Sequence, residues 1–99
     1  MATDLTAQAE LLERIAGMLR CLGHPVRLQI LELLSRKEEL TVTEVYEALD
    51  LEQAVASQHL STMRDRGILD RRKDGVHVYY RIGNDRALTV LGCLQKSTA

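Results

Sequence analysis

Residues 40–82 read LTVTEVYEALDLEQAVASQHLSTMRDRGILDRRKDGVHVYYRI, and this run specifies most of the architecture. Its first part, residues 40–49, predicts a short helix, because apolar side chains recur at helical spacing at Val42, Val45, Tyr46 and Leu49. Thr41 and Glu44 have the spacing of a capping box, which fixes the start of this helix.

A second helix and a hairpin follow after a tight break. Residues 52–66 predict a helix that Gly67 is placed to end in a left-handed cap. Residues 68–82 predict two strands, and Asp74–Gly75 between them is typical of a type I′ turn. One face of the second strand is expected to hold Val76, Val78, Tyr80 and Ile82. Helix, short turn, helix and basic hairpin is the order of a winged helix-turn-helix, whose hairpin is the wing.

The rest of the chain predicts three more helices, over residues 5–22, 25–36 and 84–96. The fold class is therefore mostly α with a β-hairpin wing: five helices and two strands in one winged helix-turn-helix domain, residues 1–99. The helix-turn-helix occupies residues 41–66. The chain has no Trp or Phe, and a domain of this size buries only roughly 60–65% of its unfolded surface, so an isolated monomer would be marginally stable. Because the apolar first and last helices are not needed to build the helix-turn-helix, we expect a homodimer through them.

Charge is distributed unevenly along the chain, although the net charge is only −1. Residues 1–51 carry 5 basic and 9 acidic side chains, a net −4, whereas residues 52–81 carry 6 basic and 4 acidic, a net +2. Residues 82–99 add +1. The positive excess lies on the second helix and hairpin of the motif, where a surface that meets phosphates needs it.

The helix over residues 52–66 has an outward face of small, uncharged side chains: Gln53, Ala54, Ser57, Gln58, Ser61 and Thr62. We call these six residues the reading face. Gln pairs with adenine, Ser and Thr reach either base type, and Ala contacts the thymine methyl. An ordinary solvated face is the alternative, but such faces are more often rich in Glu and Lys. The pattern favours insertion into the major groove of DNA.

Basic side chains near the reading face are expected to contact the DNA backbone. In the hairpin these are Arg71, Arg72, Lys73 and His77, which could equally be a charge-protected strand edge. Arg64, near the helix end, is a further candidate, although Asp65 beside it reduces the positive field. His59 lies between the reading face and the apolar side of the helix, and two roles remain open for it: a phosphate contact or a hydrogen bond within the domain.

Four segments of the chain resemble the ArsR/SmtB family of small bacterial winged-helix repressors. They are LGHPVRLQIL at residues 22–31, VASQHL at 55–60, GIL at 67–69 and GVHVYYRI at 75–82. The resemblance covers about residues 10–95. It implies a homodimer that occupies a palindromic operator in double-stranded DNA and leaves it when an inducer binds.

The metal sites known in this family are not expected here. One family site uses thiols early in the third helix, where this chain has Thr41 and Thr43, and hydroxyls are poor ligands for soft metals. Another uses Asp, His and Glu in the last helices, where Asp85 stands alone. We therefore expect neither a metal nor another cofactor.

Cys21 and Cys93, in the first and last helices, are the remaining candidates for sensing. Some members of the family sense oxidants, reactive sulfur or metalloids with cysteines outside the third helix. The alternative is that both thiols simply pack as small apolar side chains.

The sequence thus predicts a dimeric transcriptional repressor that an inducer releases from DNA. If the two cysteines sense and do not only pack, the release uses a thiol switch at Cys21 and Cys93. The alternative is a winged-helix dimer that binds protein and not DNA, which the low net charge favours. No enzyme is expected, because the spacing of Cys21 and His24 is the only suggestion of a nucleophile and base. The N-terminus lacks the pattern of a signal peptide, and no apolar run approaches the roughly 20 residues of a membrane span, so we expect a cytoplasmic protein.

Overall fold

A computed structural model describes residues 2–98, with the side chains of residues 2–4, 94, 97 and 98 left out of the description. Its elements in chain order are α1 (Ala2–Leu22), α2 (Pro25–Arg36), β1 (Leu40–Thr41), α3 (Val42–Leu49), α4 (Gln53–Asp65), β2 (Leu69–Asp74), β3 (His77–Ile82) and α5 (Asp85–Thr98). The predicted class, mostly helical with a hairpin wing, is confirmed. The structure adds one short strand, β1, to the two strands predicted.

Helix α2 lies at the centre of the domain and packs against α1, α3, α4, α5 and β3. Pro25 suits its first turn, and the Nδ1 atom of His24 caps it by accepting a hydrogen bond from the Val26 amide at 3.1 Å. Ile30 and Leu31 are fully buried. Because each such side chain contributes about 1.5–3 kcal/mol through burial, α2 is the main support of the other helices.

The capping box that begins α3 is confirmed. The Thr41 hydroxyl accepts from the Glu44 amide at 3.1 Å, and the Glu44 carboxylate accepts from the Thr41 amide at 2.9 Å. Leu40 and Thr41 do not join the helix that was predicted over residues 40–49, because they pair with β3 instead. The turn to α4 uses Asp50 in the left-handed region, with φ 54°.

The wing is the antiparallel pair of β2 and β3, in register from Leu69 opposite Ile82 to Asp74 opposite His77. The sheet order is β1-β3-β2. This register makes Gly75 and Val76 the central turn residues, so the predicted Asp74–Gly75 type I′ turn is wrong. Only Gly75 has positive φ, at 63°, which is the pattern of a type II′ turn. Val76 therefore lies at the tip of the turn, 93% exposed, and not on the strand face that it was predicted to share with Val78, Tyr80 and Ile82.

Helix α1 carries an apolar stripe that the described residues leave exposed. Leu5, Leu12 and Leu19, spaced seven residues apart, are 72%, 56% and 47% exposed. Leu88 of α5 is also exposed. The radius of gyration is 14.9 Å, against about 13 Å for a compact domain of this length. The long first helix thus extends beyond the core.

Candidate nucleic-acid interface

The reading face lies on the outer side of α4. Gln53, Ala54, Gln58 and Ser61 are exposed, and Ser57 and Thr62 are partly buried. The Thr62 hydroxyl donates to the Gln58 carbonyl at 3.0 Å, so its oxygen keeps its acceptor capacity for an outside partner. Five amide or hydroxyl side chains thus face solvent or lie at the edge of the face, without a charged group among them.

Helix α4 is held from behind by apolar packing. Ala56, Leu60 and Met63 on its inner side are fully buried, and the helix packs against α2, α3 and β2. At the N-terminus, the Glu52 side chain makes no capping hydrogen bond. The first amide groups of α4 are therefore open to an anion, the partner that a helix N-terminus favours.

Gly67 ends α4 as predicted, with φ 77°. The Ile68 amide donates to the Met63 carbonyl at 2.9 Å, and the chain then turns into β2. Arg64, in the last turn, is partly buried and pairs with Asp65 at 3.3 Å. Arg64, which was predicted to contact the DNA backbone, is thus paired with Asp65, whose negative charge reduces the positive field of the arginine.

His59 is half-buried on the side of α4 that faces the start of α2. Its Nδ1 accepts a hydrogen bond from the Arg27 guanidinium Nε at 3.2 Å, and its ring centroid lies 4.6 Å from that of His24. Burial, followed by the nearby charges of His24 and Arg27, lowers the pKa of His59 from its ordinary 6.5. No role could be predicted for Arg27, although it lies in the LGHPVRLQIL segment, because its contact joins residues far apart in the chain.

The predicted basic residues of the wing are all exposed, but they divide between its two faces. Neighbouring residues of a strand point to opposite sides. The register places Arg71 and Lys73 on one face, opposite Tyr80 and Val78. The other face holds Arg72 and His77, opposite Tyr79 and Asp74. The structure therefore does not bring the four side chains together as one patch.

Arg72 is occupied by contacts within the molecule. Its Nε donates to Glu39 at 3.2 Å, and a terminal guanidinium nitrogen forms a second, shorter bond to the other oxygen of the same carboxylate. Asp74 lies 3.7 Å away, and the Tyr79 ring centroid 4.5 Å away. The hydrogen bond from Arg72 lowers the pKa of Glu39. Glu39 is a site residue that sequence reasoning missed, since only the strand register places it beside the wing.

Cys21 is buried and Cys93 is exposed, and both are thiols in the structure. One guanidinium nitrogen of Arg27 donates to the Cys21 carbonyl at 3.2 Å and lies 3.7 Å from the Cys21 sulfur. Among the described residues, no group of three His, Cys, Asp or Glu side chains is arranged to hold a metal ion. Within the same part of the chain, every helix is too short or too polar to span a membrane.

Known proteins share both the sequence and the architecture of this chain. A family model described as a helix-turn-helix domain matches residues 22–72. The transcriptional repressor PagR of Bacillus anthracis is 36% identical over 83 residues, which cover 84% of this chain and 83% of PagR. The HTH-type transcriptional regulator YgaV of Escherichia coli is 31% identical over 93 residues, which cover 94% of each chain.

Solved structures of proteins of the same kind resemble the fold of this chain. The crystal structure of PagR superposes with a TM-score of 0.81 at 35% identity and covers 87% of this chain and 98% of that one. The solution structure of the homodimeric winged helix-turn-helix DNA-binding domain of Mb0332 from Mycobacterium bovis, a possible ArsR-family transcriptional regulator, gives a TM-score of 0.80. It is 28% identical and covers 92% of this chain and 83% of that one.

Proposed function

Because the chain belongs to the ArsR/SmtB family of winged-helix transcriptional regulators, we propose that it is a homodimeric repressor that binds a palindromic operator in double-stranded DNA. The observation that carries the proposal is the uncharged, exposed reading face on a helix whose opposite side is fully buried. Such a helix presents hydrogen-bonding groups in a fixed orientation, which base recognition requires. A cytoplasmic location, where a bacterial operator lies, belongs to the same proposal.

The proposal assigns two kinds of contact. The reading face recognises bases, with Gln53 and Gln58 as the side chains able to make bidentate pairs. The wing and the last turn of α4 bind phosphates, through Arg71, Lys73 and Arg64 directly and through Arg72 once it leaves Glu39. Phosphate contacts position the protein without carrying sequence information. His77, near the wing tip, is placed for the same role.

The homodimer is proposed to form through α1 and α5. A second copy of the chain is the occupant that the stripe of Leu5, Leu12 and Leu19 favours, because a seven-residue apolar repeat matches an identical helix. Exposed Leu88 of α5 extends this surface. A two-fold dimer would set two reading helices about 34–36 Å apart, one turn of DNA. The homodimeric domain of Mb0332 supports this assembly.

Release from DNA is proposed to use the two thiols. Joining Cys21 and Cys93 as a disulfide, within a chain or across the dimer, removes two protons and two electrons, which an added oxidant such as diamide accepts. Both cysteines lie in the proposed dimer helices, so a bond between them would alter how α1 and α5 pack. Exposed Cys93 would react first, and buried Cys21 would react after a local opening.

The test begins with selection of bound duplexes from a random library, followed by fluorescence anisotropy on the selected duplex. We expect tight binding that weakens steeply with salt, because each neutralised phosphate contributes about −0.9 to the slope of log K against log salt. Diamide should release the wild-type protein and dithiothreitol should restore binding, whereas Cys21→Ser and Cys93→Ser should stay bound. Binding indifferent to diamide would remove the thiol switch and leave the repressor. Failure to enrich any duplex at low salt would overturn DNA binding and favour a dimer that binds protein.

A further inference from the structure

Arg27 connects three helices at one point. Its guanidinium donates one hydrogen bond to the Cys21 carbonyl at the end of α1 and another to His59 Nδ1 on α4, while its own backbone belongs to the first turn of α2. The arginine is partly buried, which strengthens both bonds relative to water. Arg27 thus fixes the middle of α4 to the junction of α1 and α2.

The bond to His59 exists only in one protonation state. Nδ1 accepts from Arg27, so the neutral ring carries its proton on Nε2. Protonation of Nδ1 would set two N–H donors and two positive charges against each other, and the bond would be lost. The groups that face this ring are the Arg27 guanidinium from α2 and the imidazole of His24, the residue that caps α2. The Cys21 thiol from α1 lies behind Arg27.

The charges around His59 determine the direction of its pH response. Burial, His24 and Arg27 all lower its pKa below 6.5. As the pH falls, the unfolded chain therefore takes up this proton before the folded one. The stability that neutral His59 contributes is complete above about pH 6.5. It is lost as the pH falls through the lowered pKa, so the response lies below about pH 6.5.

We propose that Arg27 is a positioning residue for the reading helix, and that protonation of His59 frees α4 from the α1–α2 junction and weakens DNA binding. The effect on DNA rests on the proposed function, whereas the release of α4 can be measured without DNA. Arg27 contacts both Cys21 and His59. A chemical change at Cys21 that moves the Arg27 side chain would therefore also act on α4.

The chain offers two matched variants for the test. His59→Asn keeps an acceptor near the position of Nδ1, since the amide oxygen of Asn sits where that nitrogen does, but it does not titrate. His24→Asn keeps a good cap for α2 and removes the imidazole that lies 4.6 Å from the His59 ring and lowers the pKa of His59. Arg27→Lys keeps a charge but lacks the planar fork that reaches two partners at once.

Two measurements are made between about pH 5.5 and 8 at constant ionic strength: anisotropy on the selected duplex, and amide hydrogen exchange at Leu60 and Met63 without DNA. For the wild-type protein we expect about fivefold weaker binding at the acid end, the size of one net hydrogen bond. The protection factors of the two amides, which are their exchange rates relative to the intrinsic rate at each pH, should fall at the same end. His59→Asn should abolish both changes. His24→Asn should move them to higher pH, and Arg27→Lys should show the acid behaviour throughout.

Two outcomes would overturn the inference. If acid strengthens DNA binding in the wild type and not in His59→Asn, the histidine contacts a phosphate directly. If the two proteins respond identically in hydrogen exchange, protonation of His59 does not release α4. Exchange that follows the expected pattern in a protein that binds no duplex would instead contradict the proposed function and leave the positioning role of Arg27 in place. Circular dichroism at each pH checks that every variant stays folded.

Discussion

The reading helix α4 and the wing present their polar side chains in opposite ways. On α4 the outward side chains of Gln53, Gln58 and Ser61 are exposed, and the helix is anchored from behind. On the wing, Arg72 is held by Glu39, with Asp74 and Tyr79 beside it. In the proposed repressor, these exposed side chains of α4 therefore bind bases without first leaving a partner inside the protein. Arg72, in contrast, must leave Glu39 before it binds a phosphate. The first region is preorganised and the second is adjustable.

The largest effect is expected from removing the anchor of the reading helix. Leu60→Ala should lower the free energy of unfolding by about 2–5 kcal/mol, because Leu60 is fully buried and its loss leaves a cavity. Urea denaturation followed by circular dichroism measures the change. Val55→Ala on the same helix is the control, and this partly exposed side chain should change stability by less than about 1 kcal/mol. Equal losses in the two variants would mean that α4 is not held by its inner side.

A smaller effect, confined to recognition, is expected at the reading face. Gln58→Ala should weaken binding to the selected duplex by about 1–3 kcal/mol if Gln58 makes a bidentate pair with a base. Binding to an unrelated duplex should change little, because the side chain does not contact phosphates in this arrangement. Gln29→Ala, an exposed glutamine on α2, is the control. Uniform weakening on both duplexes would assign Gln58 to the backbone and remove the distinction between the two regions.

The smallest effect is expected at the wing and has the opposite sign. Glu39→Gln should tighten binding to every duplex by up to about fivefold, because an exposed ion pair is weak and its loss frees Arg72. Arg72→Ala should weaken binding and lower the salt slope by about 0.9. In the Arg72→Ala background, Glu39→Gln should have no further effect.

Glu38→Gln, which removes a neighbouring exposed charge, is the control for this cycle. Equal tightening by Glu38→Gln and Glu39→Gln would show that general repulsion of DNA, and not the specific pair with Arg72, limits the wing.

Most of the fold could be predicted because its signals are local. The capping box of Thr41 and Glu44 spans one turn, and the left-handed end of α4 at Gly67 needs only a residue without a Cβ atom. The inner side of α4, where Ala56, Leu60 and Met63 are buried, follows from helical spacing alone. Each of these features depends on residues at most a few positions apart.

The features that the sequence missed depend on register or on long-range contact. A shift of one residue in the hairpin moves the turn to Gly75–Val76 and changes its type. The pairs Arg72–Glu39 and Arg27–His59 join residues more than 30 positions apart, so spacing could not reveal them. Strand β1 is two residues long, and only its pairing with β3 makes it a strand. The sequence was enough to name the candidate DNA contacts, but not to show which of them already bind other side chains of the protein.

The uncovered leucines of α1 have a consequence for how much protein a cell must make. If the dimer is the form that binds the operator, the concentration of that form depends on the square of the chain concentration whenever monomers predominate. Doubling expression would then raise the amount of dimer by about fourfold. In the proposed repressor, dimerisation through Leu5, Leu12 and Leu19 would therefore make repression a steep function of gene dosage.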